Sequence, residues 1–171
     1  DRAAAVMDAG ADAVVVDVAH GHLEKCLDAT ARVRESFPDA ELVAGNVATP
    51  SGVHDLTEAG VDAVKVGIGA GSHCTTRAVA GAGVPQLTAV DDCADAADDH
   101  DVRVIADGGM RSSGDAVKAL MAGADTVMLG RLFAATDESP GELIEREGRI
   151  YKRSRGMATT AANEARSDKT A

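Results

Sequence analysis

The chain has 171 residues and a formal net charge of −11, with 19 Asp and 9 Glu set against 5 Lys and 12 Arg. This balance argues against a nucleic-acid binder, whose phosphate contacts need clustered Lys and Arg, and no apolar run approaches the roughly 20 residues of a membrane span. Three widely separated cysteines, Cys26, Cys74 and Cys93, point to free thiols in a reducing compartment, with the cytoplasm as the expected location.

The length suits one domain with a sizeable core. With no Trp, one Tyr and two Phe, that core must be built from Val, Ala, Leu, Ile and Met. The Asp-rich acidity fits a soluble enzyme of the kind adapted to high salt, where self-repulsion is screened. The opening stretch, Asp1 to Met7, reads as helix from its first residue and lacks an initiating Met, so a piece of a longer protein is expected.

An internal repeat then organises the chain. Val6-Met-Asp-Ala-Gly-Ala-Asp-Ala-Val-Val-Val-Asp is echoed by Leu56-Thr-Glu-Ala-Gly-Val-Asp-Ala-Val-Lys-Val-Gly and by Leu120-Met-Ala-Gly-Ala-Asp-Thr-Val-Met-Leu-Gly. Each copy is a helix end, a Gly suited to the helix C′ position, an Asp and a buried β-branched run. Two further strands fall between the copies, Leu42–Gly45 and Val102–Ala106, and helices are expected at about 23–36, 51–59, 91–100 and 113–122. Strands apolar throughout and alternating with helices make a parallel sheet covered on both faces. Near-identical βα units without an early G-x-G-x-x-G favour a (β/α)8 TIM barrel, of which about the last five units are present, over an open doubly wound sheet.

Polar residues gather at the C-terminal ends of these strands, where both architectures place their active sites. Asp17 ends the first strand, Asn46 the second, Gly67–Cys74 the third, Asp107-Gly108-Gly109 the fourth and Gly130-Arg131 the fifth. Bare amides at Gly108, Gly109 and Gly130 suit a phosphate, and Asp107 suits ribose hydroxyls. In the third of these ends, Gly67, Gly69 and Gly71 permit a tight path, and Thr75-Thr76 are placed to start a helix whose positive end would face Cys74 and favour its thiolate. The residues alone therefore describe a phosphate-binding βα enzyme with a candidate cysteine nucleophile.

The stretch Gly67-Ile-Gly-Ala-Gly-Ser-His-Cys-Thr-Thr-Arg resembles the catalytic loop of the IMP dehydrogenase / GMP reductase family. Asp17-Val-Ala-His-Gly-His, Gly45-Asn46-Val-Ala-Thr, Ile105-Ala-Asp-Gly-Gly-Met-Arg, Glu138-Ser-Pro-Gly-Glu, Tyr151-Lys152 and Arg155-Gly156-Met157 resemble its other motifs in the same order. The resemblance implies a catalytic barrel domain over 1–171, lacking the first strands and the C-terminal flap, and a homotetramer at full length. It implies Cys74 and Thr76 as catalytic residues, the thiolate attacking C2 of IMP while hydride passes to NAD and water then releases XMP. Ser72, Asp107, Gly108, Gly109, Gly130, Arg131, Gly156, Met157 and Ala158 would bind the purine nucleotide monophosphate. Asp17, Asn46, Gly67, Ile68 and Gly69 would serve the cofactor, and carbonyls of Gly69, Gly71 and Cys74 a potassium ion (K+). The alternatives are a GMP reductase that deaminates GMP with NADPH, and a nucleotide-binding barrel without turnover.

The sequence departs from the family pattern at three positions. Arg131 stands where a Ser is usual and offers a guanidinium to phosphate; Ser154 stands in place of a phosphate-contacting Tyr, and Ala158 in place of a Gly. Elsewhere, His20 and His22 form half a metal site at most, Cys26 and Cys93 read as packing residues on helices, and His73 as a solvent-facing loop residue. The Asp91, Asp92, Asp98 and Asp99 group reads as a solvated helix face, and Glu145–Arg149 as a hairpin turn around Gly148.

Overall fold

Each of the three sequence repeats folds as a helix end, a glycine turn and a strand. The structure, a computed structural model, describes residues 2–156. The first repeat joins α1 (Arg2–Asp8) to β1 (Ala13–Asp17), and α2 (Glu24–Ser36) leads on to β2 (Glu41–Val47). The second joins α3 (Pro50–Glu58) to β3 (Ala63–Val66). A one-turn helix α4 (Thr76–Val79), the longer α5 (Gln86–Asp98) and β4 (Arg103–Asp107) follow. The third repeat joins α6 (Ser113–Met121) to β5 (Thr126–Met128), after which come α7 (Arg131–Ala134) and the strands β6 (Leu143–Arg146) and β7 (Arg149–Lys152). The repeat glycines Gly10, Gly60 and Gly123 have φ of 90°, 92° and 99°, the left-handed turn that ends each helix and that a Cβ would resist.

The repeat aspartate has a job that periodicity did not reveal. Asp62 Oδ2 accepts from the Leu42 amide at 2.7 Å, and Asp125 Oδ2 accepts from the Val104 amide at 2.7 Å. Each carboxylate thus pins the start of the neighbouring, preceding strand and fixes its register. Asp62 is itself held by Arg34 at 2.5 Å.

β1 to β5 form one parallel sheet in the order β1-β2-β3-β4-β5. A doubly wound sheet would reverse its strand order at a switch point; sequential order without reversal is that of a barrel wall. Leu42 and Ala44, Val64 and Val66, and Val104 and Ala106 point to one face and pack with Val53, Leu56, Val90 and Cys93 of the helices α3 and α5. That face is the core. The hairpin expected around Gly148 is present as antiparallel β6 and β7, with positive φ at both Glu147 and Gly148, the pattern of a type I′ turn.

Three expectations need correction. α5 starts at Gln86, not near residue 91, because Pro85 closes the preceding loop and its carbonyl accepts the first helical bond, from Ala89 at 3.0 Å. β4 lies one residue later than expected. The strands are not apolar throughout: Lys65, in the middle of β3, is only 3% exposed.

Gly45 makes room for that lysine. It is the register partner of Lys65, and a Cβ at Gly45 would meet Lys65 Cβ and its carbonyl oxygen at 2.6 Å each. Gly45→Ala is expected to cost about 1–3 kcal/mol through forced backbone movement, read as a lowered urea midpoint in the full-length protein.

Candidate active site

The strand ends converge because the strands are parallel, so every C-terminal carboxylate, amide and loop emerges on the same rim. Asp107, ending β4, stands at its centre. Its Oδ2 accepts from Lys65 Nζ at 2.5 Å and from Asn46 Nδ2 at 2.9 Å. Asn46 Nδ2 also donates to the Gly67 carbonyl at 2.8 Å, while Asn46 Oδ1 is buried with no donor among the described residues. Asp17, ending β1, lies 3.2 Å from Lys65 Nζ. Gln86 ties the ends of β3 and β4 together, donating to the carbonyls of Val66 at 2.8 Å and Asp107 at 3.3 Å.

The loop after β3 carries Cys74. Gly67 has φ of 146°, and a Cβ there would lie 2.4 Å from the Asp107 carbonyl oxygen, so only glycine lets this loop leave the sheet against β4. Cys74 is exposed, and its Sγ donates to Thr76 Oγ1 at 3.1 Å. Helix α4 does begin at Thr76, but it is a single turn and Thr75 supplies no side-chain cap. The dipole expected to face the thiol is therefore that of one turn only.

Two clefts open on this rim and share Gly71, Cys74 and Asp107. One, of about 170 Å³, is lined also by Ser72, Gly108, Gly109, Gly130 and Arg131. The other, of about 190 Å³, is lined also by Asp17, Asn46, Gly67, Gly69 and Thr76. The candidates for nucleotide and for cofactor thus separate into two adjoining spaces, with one thiol at the boundary. Ile68 belongs to neither; it is partly buried and packs against the core. Gly156 lines neither cleft, and Met157 and Ala158 lie outside the described residues. From the hairpin side, Ser154 Oγ reaches His73 Nε2 at 3.3 Å, so the segment after β7 returns over the cysteine loop. Lys152 anchors that hairpin by donating to the carbonyls of Thr136 and Ser139.

Two of the three carbonyls expected to hold potassium, those of Gly69 and Gly71, are turned to internal donors. Gly69 accepts from Arg77 Nε at 2.8 Å and Gly71 from the Cys74 amide at 3.0 Å. A cation at Gly69 would lie against a guanidinium, so the loop in this conformation does not fit the ion. The second cleft does fit a nicotinamide nucleotide in its acceptor chemistry: Asp17 offers a carboxylate to a ribose, and Asn46 lines the wall with its Nδ2 committed to Asp107 and Gly67.

Lys65 and Gln86 were not picked out from the sequence. Their signal was polarity inside an apolar strand and next to a proline; neither is a motif. Outside the clefts, His22 Nε2 lies 2.7 Å from Asp55 Oδ2, and this hydrogen bond holds the Asp55 carboxyl below its usual range. His54, Asp55 and Glu58 bring one ligand atom each within 4.8 Å of one another on α3; the group lies in the helix layer and lines neither cleft.

Cys93 is buried, and burial, with Asp92 nearby, pushes its thiol up to about 12. It is expected to stay unmodified when the native protein is treated with iodoacetamide at mildly alkaline pH, whereas exposed Cys74 is alkylated. Peptide mass mapping of the labelled protein reads both. No helix among the described residues is long and apolar enough to cross a membrane.

The family model described as IMP dehydrogenase / GMP reductase domain matches residues 1–171. The chain is 53% identical over 169 residues to an inosine-5'-monophosphate dehydrogenase of Nitrosopumilus maritimus, covering 99% of this chain and 36% of that protein. It is 58% identical over 161 residues to one of Chlorobaculum parvum, covering 94% and 33%. Among solved structures it matches a GMP reductase variant from Trypanosoma brucei in complex with guanosine 5'-monophosphate, with a TM-score of 0.91 and 47% identity over 95% of this chain and 34% of that one. The chain thus spans about a third of the length of the relatives it matches.

Proposed function

The chain belongs to the IMP dehydrogenase / GMP reductase family, and from that premise we propose that it forms part of the catalytic barrel of an enzyme oxidising IMP to XMP with NAD. One observation carries this reading: Cys74 lines both clefts at once, so its sulfur can be bonded to a base in one while hydride leaves toward the other.

In this reading the nucleotide phosphate lies against Ser72, Gly108, Gly109 and Gly130, with Arg131 supplying the charge that a serine hydroxyl would not. Asp107 accepts from the ribose hydroxyls. The Cys74 thiolate adds to C2 of the purine, and hydride departs from that carbon. Water then attacks C2 of the resulting thioimidate and the C2–S bond breaks, releasing XMP and regenerating the Cys74 thiol. NAD, when bound in the second cleft, supplies the hydride acceptor. Asp17 and Asn46 would line its site, and Thr76, 3.1 Å from Sγ, orients the thiol.

GMP reduction is the second reading, favoured by the structural match to a GMP reductase. Both use the same sulfur. The full-length protein, given IMP with NAD in one cuvette and GMP with NADPH in another, decides between them through the absorbance of the reduced cofactor. Appearance of NADH in the first supports oxidation of IMP; consumption of NADPH in the second supports reduction of GMP. Nucleotide binding with turnover in neither leaves a barrel that binds without catalysis and ends the proposal.

A further inference from the structure

Among the described residues, Lys65 is the buried charged side chain. Val64 and Val66, its neighbours on β3, point into the helix-packed core, so strand alternation aims Lys65 at the opposite face, toward the clefts. An ammonium out of water is costly and persists where carboxylates compensate it. Two do so here. Lys65 Nζ lies 2.5 Å from Asp107 Oδ2 and 3.2 Å from Asp17 Oδ1. Asp17 lines the second cleft alone, and Asp107 lines both.

The atoms involved are informative. Asp107 Oδ2 takes two donors, Lys65 and Asn46; no protein donor among the described residues is shown at its Oδ1. Asp17 is 62% exposed at its side chain and is tethered to the sheet interior through Oδ1. Each carboxylate therefore has one oxygen committed to the lysine and one to offer. A nucleoside monophosphate and a dinucleotide each carry a ribose diol that wants such an acceptor.

We propose that Lys65 is a positioning residue shared by the two clefts: one ammonium fixes Asp107 toward the substrate ribose and Asp17 toward the cofactor ribose. This rests on the proposed reading of the clefts as sites for a nucleotide and a nicotinamide cofactor. It goes further in assigning to a residue that touches neither ligand a hold on both. A lysine serving the fold alone would, on removal, lower the amount of active enzyme and leave both KM values where they were.

Steady-state kinetics on the full-length protein, with calorimetric Kd values for IMP and for NAD measured beside them and expected to shift with KM, test it. Lys65→Met is expected to raise KM for IMP and for NAD by about 10-fold or more each, the loss of a charge-assisted contact at each ribose. Lys65→Arg, whose fork reaches the same two carboxylates, returns both to within about threefold of wild type. In the Lys65→Met background, Asp17→Asn adds little to the NAD defect, because that carboxylate is already loose. A Lys65→Met enzyme that changes kcat alone, or one KM and not the other, overturns the shared role. Should Lys65→Met not fold, Lys65→Gln takes its place with the same expected pair of shifts. Wild-type turnover measured alongside reports separately on the proposed function. If wild type binds IMP and NAD without turnover, their Kd values replace KM in the same comparison; if it binds neither, both readings fall.

Discussion

Replacing Cys74 by alanine in the full-length protein is expected to lower kcat by at least about 10³-fold while nucleotide affinity stays within about threefold of wild type. The expectation follows from where the sulfur sits. Covalent catalysis divides one difficult oxidation into a redox step and a hydrolysis, and neither has a route once the bond to C2 is unavailable. The phosphate and ribose contacts proposed for Ser72, Asp107 and Gly108 do not involve the thiol, so binding survives. Nor does the fold depend on it: Cys74 is exposed, on a loop, and outside the core, so the unfolding midpoint should hardly move. Single-turnover assays and calorimetry on the same preparation give both numbers. An alanine variant keeping more than a tenth of wild-type kcat would remove the nucleophile from the proposal, and with it the reason for two clefts to meet at this residue.

The rim was more legible in the sequence than the interior beneath it. The Ala-Gly-Ala-Asp and Ala-Gly-Val-Asp repeats announced the βα unit because a helix C′ glycine and a β-branched run are local signals, each readable within a few residues. The cysteine loop was legible for a similar reason: alternating glycines between a strand and a Thr-Thr pair leave few alternatives. Lys65 was hidden, because a single lysine between valines reads as a strand position until the register is known. Only the pairing of Lys65 with Gly45 across β2 and β3 explains how its stem fits, and only β4, paired to β3 on the other side, brings Asp107 to its head. Gln86 was missed for the same reason, since its two acceptors lie on different strands, 20 and 21 residues away. Contacts of this kind belong to the sheet and not to any segment. The repeat aspartates lie between the two cases: their positions were plain in the sequence, yet what Asp62 and Asp125 bond is visible only once the neighbouring strand stands beside them.

Asp107 is where these interior contacts and the rim chemistry join, and two substitutions there should separate them. Asp107→Ala removes the nearer of the two carboxylates that hold Lys65 and leaves Asn46 Nδ2 one acceptor short. Breaking a buried pair by deleting one partner costs about 3–5 kcal/mol; with Asp17 still 3.2 Å from the ammonium, the lower end, about 3 kcal/mol, is expected, read as a lower urea midpoint. Asp107→Asn is different. Its amide oxygen can turn inward and accept from both Lys65 and Asn46, so most of that stability is retained. The NH2 group is then forced to the cleft, where the ribose hydroxyls need an acceptor and would meet a donor. Nucleotide affinity should fall by about 10- to 100-fold in a protein that unfolds close to the wild-type midpoint. The alanine variant should lose both properties together. If the asparagine variant binds IMP as wild type does, the free oxygen of Asp107 does not face the ribose, and the nucleotide must enter this rim in another orientation.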